Sequence, residues 1–118
     1  MDHYNWNAIP EEVLTPLLRR KVIHTPQMTI ARLWLKKGAV VPTHHHINEQ
    51  VTNVEAGSLR FVFGEKSILV NAGESLRIAP NDPHSVETLE DSIALDLFTP
   101  NRSDWLSGDD AYLRQGQK

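Results

Sequence analysis

The sequence predicts an all-β fold, a single jelly-roll barrel with a short N-terminal arm and a C-terminal tail, on three observations. From Lys21 onward, short runs of β-branched and apolar residues are punctuated by Gly, Pro, Asn or Asp about every eight to twelve residues, the rhythm of a sandwich or barrel. The 118 residues suffice for one compact domain and are too few for two of ordinary size. An apolar content of 40% and a charged content of 23% are those of a soluble globular chain, which excludes disorder and collagen-like repeats.

The arm covers residues 1–20. Its stretch from Pro10 to Leu18 fits a short helical turn or an extended segment along a sheet, and Pro10 and Pro16 oppose a long helix. The barrel covers residues 21–100, with strand-like runs at Lys21 to His24, Met28 to Leu35, Glu49 to Ala56, Ser58 to Phe63, Ser67 to Val70, Ser75 to Ile78, His84 to Thr88 and Ser92 to Phe98. Gly38, Gly57, Gly64, Gly73 and the Pro80 to Pro83 stretch stand where turns are needed. The tail, residues 101–118, reads as helical or irregular, with Trp105 and Leu106 able to dock on the barrel and order expected to about Leu113.

Twelve basic against fifteen acidic residues give a net charge of −3 with no basic run, so nucleic acid is not an expected partner. The N-terminus lacks the basic flank and apolar stretch of a secretory signal, and no apolar run is long enough to span a bilayer. A cytoplasmic protein without membrane contact is the expectation. The absence of cysteine removes disulfides, thiolate metal sites and thiol nucleophiles, leaving histidine and oxygen donors as the available ligands.

The six histidines therefore carry the reading. In an extended segment, residues two apart point the same way, so His44 and His46 of the run Pro42 to Gln50 face one interior point while His45 turns outward. His84 follows the Pro-rich turn at the start of another strand, as a ligand from a neighbouring strand would. His3 and His24 lack such a setting and read as structural or solvent-facing. For a fourth donor from the following strand, Glu49 has the charge and Gln50 the position. In Ser92 to Phe98, Ile93, Leu95 and Leu97 form an aliphatic stripe, which turns Asp96 and Phe98 to the opposite face. A buried acid needs a partner or a use. Either Asp96 makes a structural ion pair with Arg102, or both belong to a functional site.

Gly38, His44, His46, Gln50 and Gly57 resemble the first cupin motif, with Gln where Glu is usual. Gly73 to Pro80, Asp82, Pro83 and His84 resemble the second, with Asp82 in a slot commonly filled by Gly. The resemblance implies a double-stranded β-helix holding one divalent ion (zinc, nickel, manganese or iron) on His44, His46, Gln50 and His84. A neutral amide ligand leaves the ion its full charge, which suits stabilisation of an enolate better than oxidative chemistry.

The stretch from Asp96 through Leu113, with Asp96, Phe98 and Arg102 in that spacing, is similar to the KdgF-type pectin-degradation cupins. This implies ring opening and tautomerisation of 4,5-unsaturated uronates from pectin or alginate to linear keto sugars. In that scheme Asp96 is the base, Arg102 forks to the substrate carboxylate and Phe98 shapes the pocket and stacks on the sugar. The small anionic sugar is the expected partner, together with a second copy of the chain in a homodimer. Alternatives on the same fold are a metal-dependent dioxygenase or another isomerase, and a non-catalytic metabolite-binding cupin.

Overall fold

Eight strands run through the chain: β1 Glu12–Thr15, β2 Leu18–His24, β3 Thr29–Leu35, β4 Val40–His44, β5 Glu49–Phe63, β6 Lys66–Asn71, β7 Ser75–Ile78 and β8 His84–Thr99. A short helix, α1 (Ser103–Leu106), and 3-10 turns at Trp6–Ala8 and Ala111–Arg114 complete the elements. These come from a computed structural model, which describes residues 1–115. All pairings are antiparallel, in the order β1-β2-β3-β8-β5-β6, with β4 also on β8 and β7 also on β5.

The sheet closes on itself because β5 and β8 are long and change partners along their length. The first half of β5 lies beside β7 and its second half beside β6. The start of β8 pairs with β4, and Ser92 to Phe98 pair with β3. The sequence reading breaks each of these strands in two, at Gly57 and between Thr88 and Ser92. The chain instead passes through both places as a bent strand, with register shifts between Val54 and Leu59. A bulge bends a strand without ending its pairing. Gly57 makes the bend possible, since it has a φ of +84° and a Cβ there would overlap Ser92 Oγ and the Asp91 carbonyl.

The sheet also extends into the residues assigned to the arm. Residues 12–15 form a strand rather than a helical turn, folding back on β2 across Pro16 and Leu17, and β2 starts at Leu18, three residues before Lys21. Strand β4 is an addition to the sequence-based runs; its mixed burial gives no clear alternation. Elsewhere the two-residue period decides what is inside. Thr29, Ala31, Leu33 and Leu35 are buried while Ile30, Arg32 and Trp34 face outward.

The interior is filled by Leu18, Leu33, Leu35, Val41, Val54, Leu59, Phe61, Ile78, Val86 and Ala94, joined by Trp105 and Leu113 from beyond β8. Arg20 holds that last stretch in place. Its buried guanidinium donates to Asp110 and Glu12 and lies 4.5 Å from the centre of the Trp105 ring. Among the described residues, no helix is long and apolar enough to cross a membrane.

Gly57→Ala is expected to destabilise the protein by more than about 3 kcal/mol, through the overlap and the left-handed backbone together. Gly73→Ala, at a φ of +87° with open space around it, is expected to cost only about 1–2 kcal/mol. Parallel denaturant titrations check the ordering.

Candidate metal centre and catalytic cavity

His44 ends β4 and His84 begins β8, and the register sets them opposite one another. Their ring centres are 4.3 Å apart, with His46 at 5.7 Å from His44 and 5.3 Å from His84. The turn before β8 is shaped by Asn81 at a φ of +61°, and its N–H donates to the His46 carbonyl, tying the two histidine-bearing segments together. His45 is exposed, as is His3; His24 is partly buried and bonded to Thr29 Oγ1.

One ring nitrogen from each of His44, His46 and His84 can be chosen so that all three lie within 4.8 Å of one another. The other nitrogen of each ring is taken by backbone. Nδ1 lies 2.9 Å from the Pro42 carbonyl in His44, 3.1 Å from that of Asn48 in His46, and 2.7 Å from that of Asp82 in His84. A carbonyl only accepts, so each Nδ1 carries the proton and each Nε2 is left with a bare lone pair. Burial also keeps the rings neutral. It lowers His44 to about 3 and, with the Arg102 charge, His46 to about 4; His84 is lowered for the same reason.

Gln50 is buried on β5, and its amide Nε2 donates to Thr52 Oγ1 at 2.9 Å, which turns Oε1 toward His46 Nε2 at 3.0 Å. With His46 neutral and protonated on Nδ1, that contact sets one lone pair against another. A cation shared by both atoms removes the repulsion. The donor set of three imidazoles and a neutral oxygen thus fits a divalent transition ion.

Asp96 lies between Ala31 and Thr52 in the sheet, facing the same cavity as His44, Gln50 and His84. Burial raises its carboxyl to about 6, against the opposing effects of the Thr52 hydroxyl and the Arg102 charge. Its Oδ1 is shielded from solvent and has no hydrogen-bond partner among the described residues.

Arg102 also lines the cavity, but its ion pair is with Asp104, so the Asp96–Arg102 pair considered from sequence is not made. Nε and Nη2 bond the two Asp104 oxygens at 3.0 and 2.8 Å, and Nη2 also donates to the Tyr112 hydroxyl at 2.7 Å. The Nε–Nη2 edge of the guanidinium is therefore engaged within the protein. Phe98 is 2% exposed, with Arg102 over its ring at 4.8 Å and Trp105 5.2 Å away. It forms part of the cavity wall and presents no open face for stacking.

Residues 32–99 match the cupin domain family, more than half of the chain. The chain belongs to the cupin domain family. It is 36% identical to the pectin degradation protein KdgF of Dickeya dadantii over 101 residues, which are 82% of this chain and 91% of the relative. Among solved structures it is similar to KdgF from Halomonas sp., with a TM-score of 0.80, 24% identity and coverage of 88% of this chain and 99% of that one. It is also similar to an RmlC-like cupin from Shewanella frigidimarina, with a TM-score of 0.81, 23% identity and coverage of 89% and 96%. At those identities the two structures speak for the fold.

In this cupin the residues absent from the sequence reading are the ones that hold others in place. Thr52 orients Gln50, Asp104 occupies Arg102, and Tyr112 stacks on His44 at 4.4 Å. Thr52 had a legible signal, lying two residues after Gln50 on the same face of its strand. Tyr112 had none, because no periodicity links a tail residue to the barrel mouth.

Because burial lowers His44 to about 3 and His46 to about 4, with His84 also lowered, zinc affinity is expected to fall less steeply from pH 7 to 5 than that of free imidazole; calorimetric titration at the two pH values checks this. The histidines of the metal-free protein give it the same direction of pH dependence as a carboxylate-stabilised protein, for a different cause. Its histidines titrate near 6.5 when unfolded and lower when folded, so stability is full above pH 6.5 and declines as the pH falls below it.

Proposed function

We propose that this cupin opens the ring of 4,5-unsaturated uronates and tautomerises them to linear keto sugars, with one divalent ion bound by His44, His46, Gln50 and His84. The observation that carries the reading is the pairing, in one cavity, of a neutral histidine cluster with an Asp96 carboxyl whose Oδ1 has no hydrogen-bond partner among the described residues. The 36% identity to a pectin degradation protein supports a substrate of this class.

When bound, a divalent ion supplies Lewis-acid stabilisation for negative charge developing on substrate oxygens. Asp96 takes the proton of the anomeric hydroxyl. The C1–O5 bond breaks, C1 becomes an aldehyde, and the ring oxygen departs as the enolate oxygen on C5. Asp96 then returns its proton to C4, directly or through water, and C5 becomes a ketone. Atoms and electrons balance within the sugar, as an isomerisation requires. A carboxyl raised to about 6 by burial is better matched to this exchange near neutral pH than an exposed aspartate. Phe98 and Trp105 keep that end of the cavity dry, and the Arg102 charge makes it favourable to an anion.

The proposal includes a homodimer. Ile93, Leu95 and Leu97 lie half-buried on the outer face of β8, beside Ile30 and Trp34 of β3. Light scattering is expected to return twice the chain mass.

The activity is tested by a proton NMR time course of freshly released unsaturated galacturonate, against no-protein and chelator-treated controls. Conversion well above background is expected, abolished by chelator and reduced about 10²-fold or more in Asp96→Asn. Conversion at the background rate contradicts the reading and returns the cavity to dioxygenase or binding roles. In the wild type, kcat/KM is expected to fall as the pH drops below about 6, where Asp96 gains its proton, and this limb is expected to vanish in Asp96→Asn.

A further inference from the structure

Tyr112 lines the same cavity as Asp96 and His84, yet it lies outside both the ligand cluster and the barrel itself. Its hydroxyl oxygen receives two hydrogen bonds, from Arg102 Nη2 at 2.7 Å and from Trp105 Nε1 at 3.2 Å. A guanidinium and an indole N–H can only donate. Both bonds therefore fall on the phenol's lone pairs, and the hydroxyl is left as a donor with no acceptor among the described residues. Its ring lies at 26° to that of His44, with the centres 4.4 Å apart, which keeps Tyr112 beside the metal-ligand cluster.

Arg102 is only 1% exposed, with its fork on Asp104 and its guanidinium carbon 4.3 Å from the centre of the Trp105 ring. Its Nε–Nη2 edge is thus not free for a substrate carboxylate. Tyr112 is partly exposed. A hydroxyl that accepts from a cation is a stronger donor in its turn.

We infer that Tyr112 donates its O–H to the carboxylate of the uronate substrate, and that Arg102 acts on that carboxylate through Tyr112. The inference rests on the uronate reading and adds to it a binding residue and a reason for the buried arginine. Asp104 is then the anchor that holds Arg102 against Tyr112. Trp105 fixes the rotation of the hydroxyl by occupying its second lone pair.

The test compares wild type and Tyr112→Phe on unsaturated galacturonate and on its methyl ester, with metal content and thermal midpoint measured for each. The phenylalanine keeps the ring beside His44 and removes only the oxygen. The expected result is a loss of about tenfold or more in kcat/KM on the acid, carried mainly by KM, with little loss on the ester. An equal loss on both substrates, or none on the acid, overturns the inference and leaves the uronate reading standing. A wild type that turns over neither substrate overturns that reading and the inference with it. Should Tyr112→Phe fail to fold, full-length protein carrying 3-fluorotyrosine at position 112 serves instead. Its fluorine resonance is expected to move on titration with galacturonate and stay fixed with the methyl ester, and identical responses to the two overturn the inference.

Discussion

His46 Nε2 and Gln50 Oε1 face each other across 3.0 Å, and in the tautomer with the histidine proton on Nδ1 neither atom carries one. The histidine proton is held on Nδ1 by the Asn48 carbonyl, and the amide hydrogens are turned away toward Thr52. A cation bound between the two atoms relieves this opposition. The sheet register enforces it, since Gln50 is fixed between Ile78 and Phe98, and Thr52 between Leu76 and Asp96. The same register that builds the barrel thus gathers the three histidines and Gln50 and sets the Asp96 carboxyl on the next rung but one from Gln50.

Burial acts on the two halves of the site in opposite directions. It removes charge from the histidines, which keeps their Nε2 lone pairs available. It also makes the Asp96 carboxylate less comfortable and raises it toward neutral pH, where proton exchange is fastest. Neutral histidines and a raised acid are both consequences of one apolar interior filled by Leu33, Leu59, Phe61 and Val86. The chain beyond β8 adds the positive charge. Arg102 is kept ionised there by Asp104 although burial opposes its charge, and Arg20 with Asp110 holds the segment on the barrel.

The parts of this arrangement legible in the sequence are those governed by local period. His44 and His46 two apart, and Asp96 with Phe98 opposite the Ile93, Leu95, Leu97 stripe, follow from strand geometry alone. The paired glycine and histidine spacings suggest the fold for the same reason, because turns and ligands must recur at fixed intervals along short strands. What the sequence hides is the continuity of β5 through Gly57 and of β8 through Leu89 to Asp91. A glycine that bends a strand and one that ends it read alike, and only the close approach of Ser92 distinguishes them. The partner of Arg102 is hidden as well. Asp96 and Asp104 are both near in sequence, and the choice is made by α1, which turns Asp104 back onto the guanidinium within two residues.

The central claim is that the three histidines and Gln50 hold one ion, and X-ray absorption at the metal edge of zinc-loaded protein tests it most directly. The account predicts one zinc per chain with three imidazole neighbours and additional oxygen, the imidazole number dropping by one in His84→Ala. Zinc that shows only oxygen neighbours, or a protein that takes up no stoichiometric ion, would contradict it.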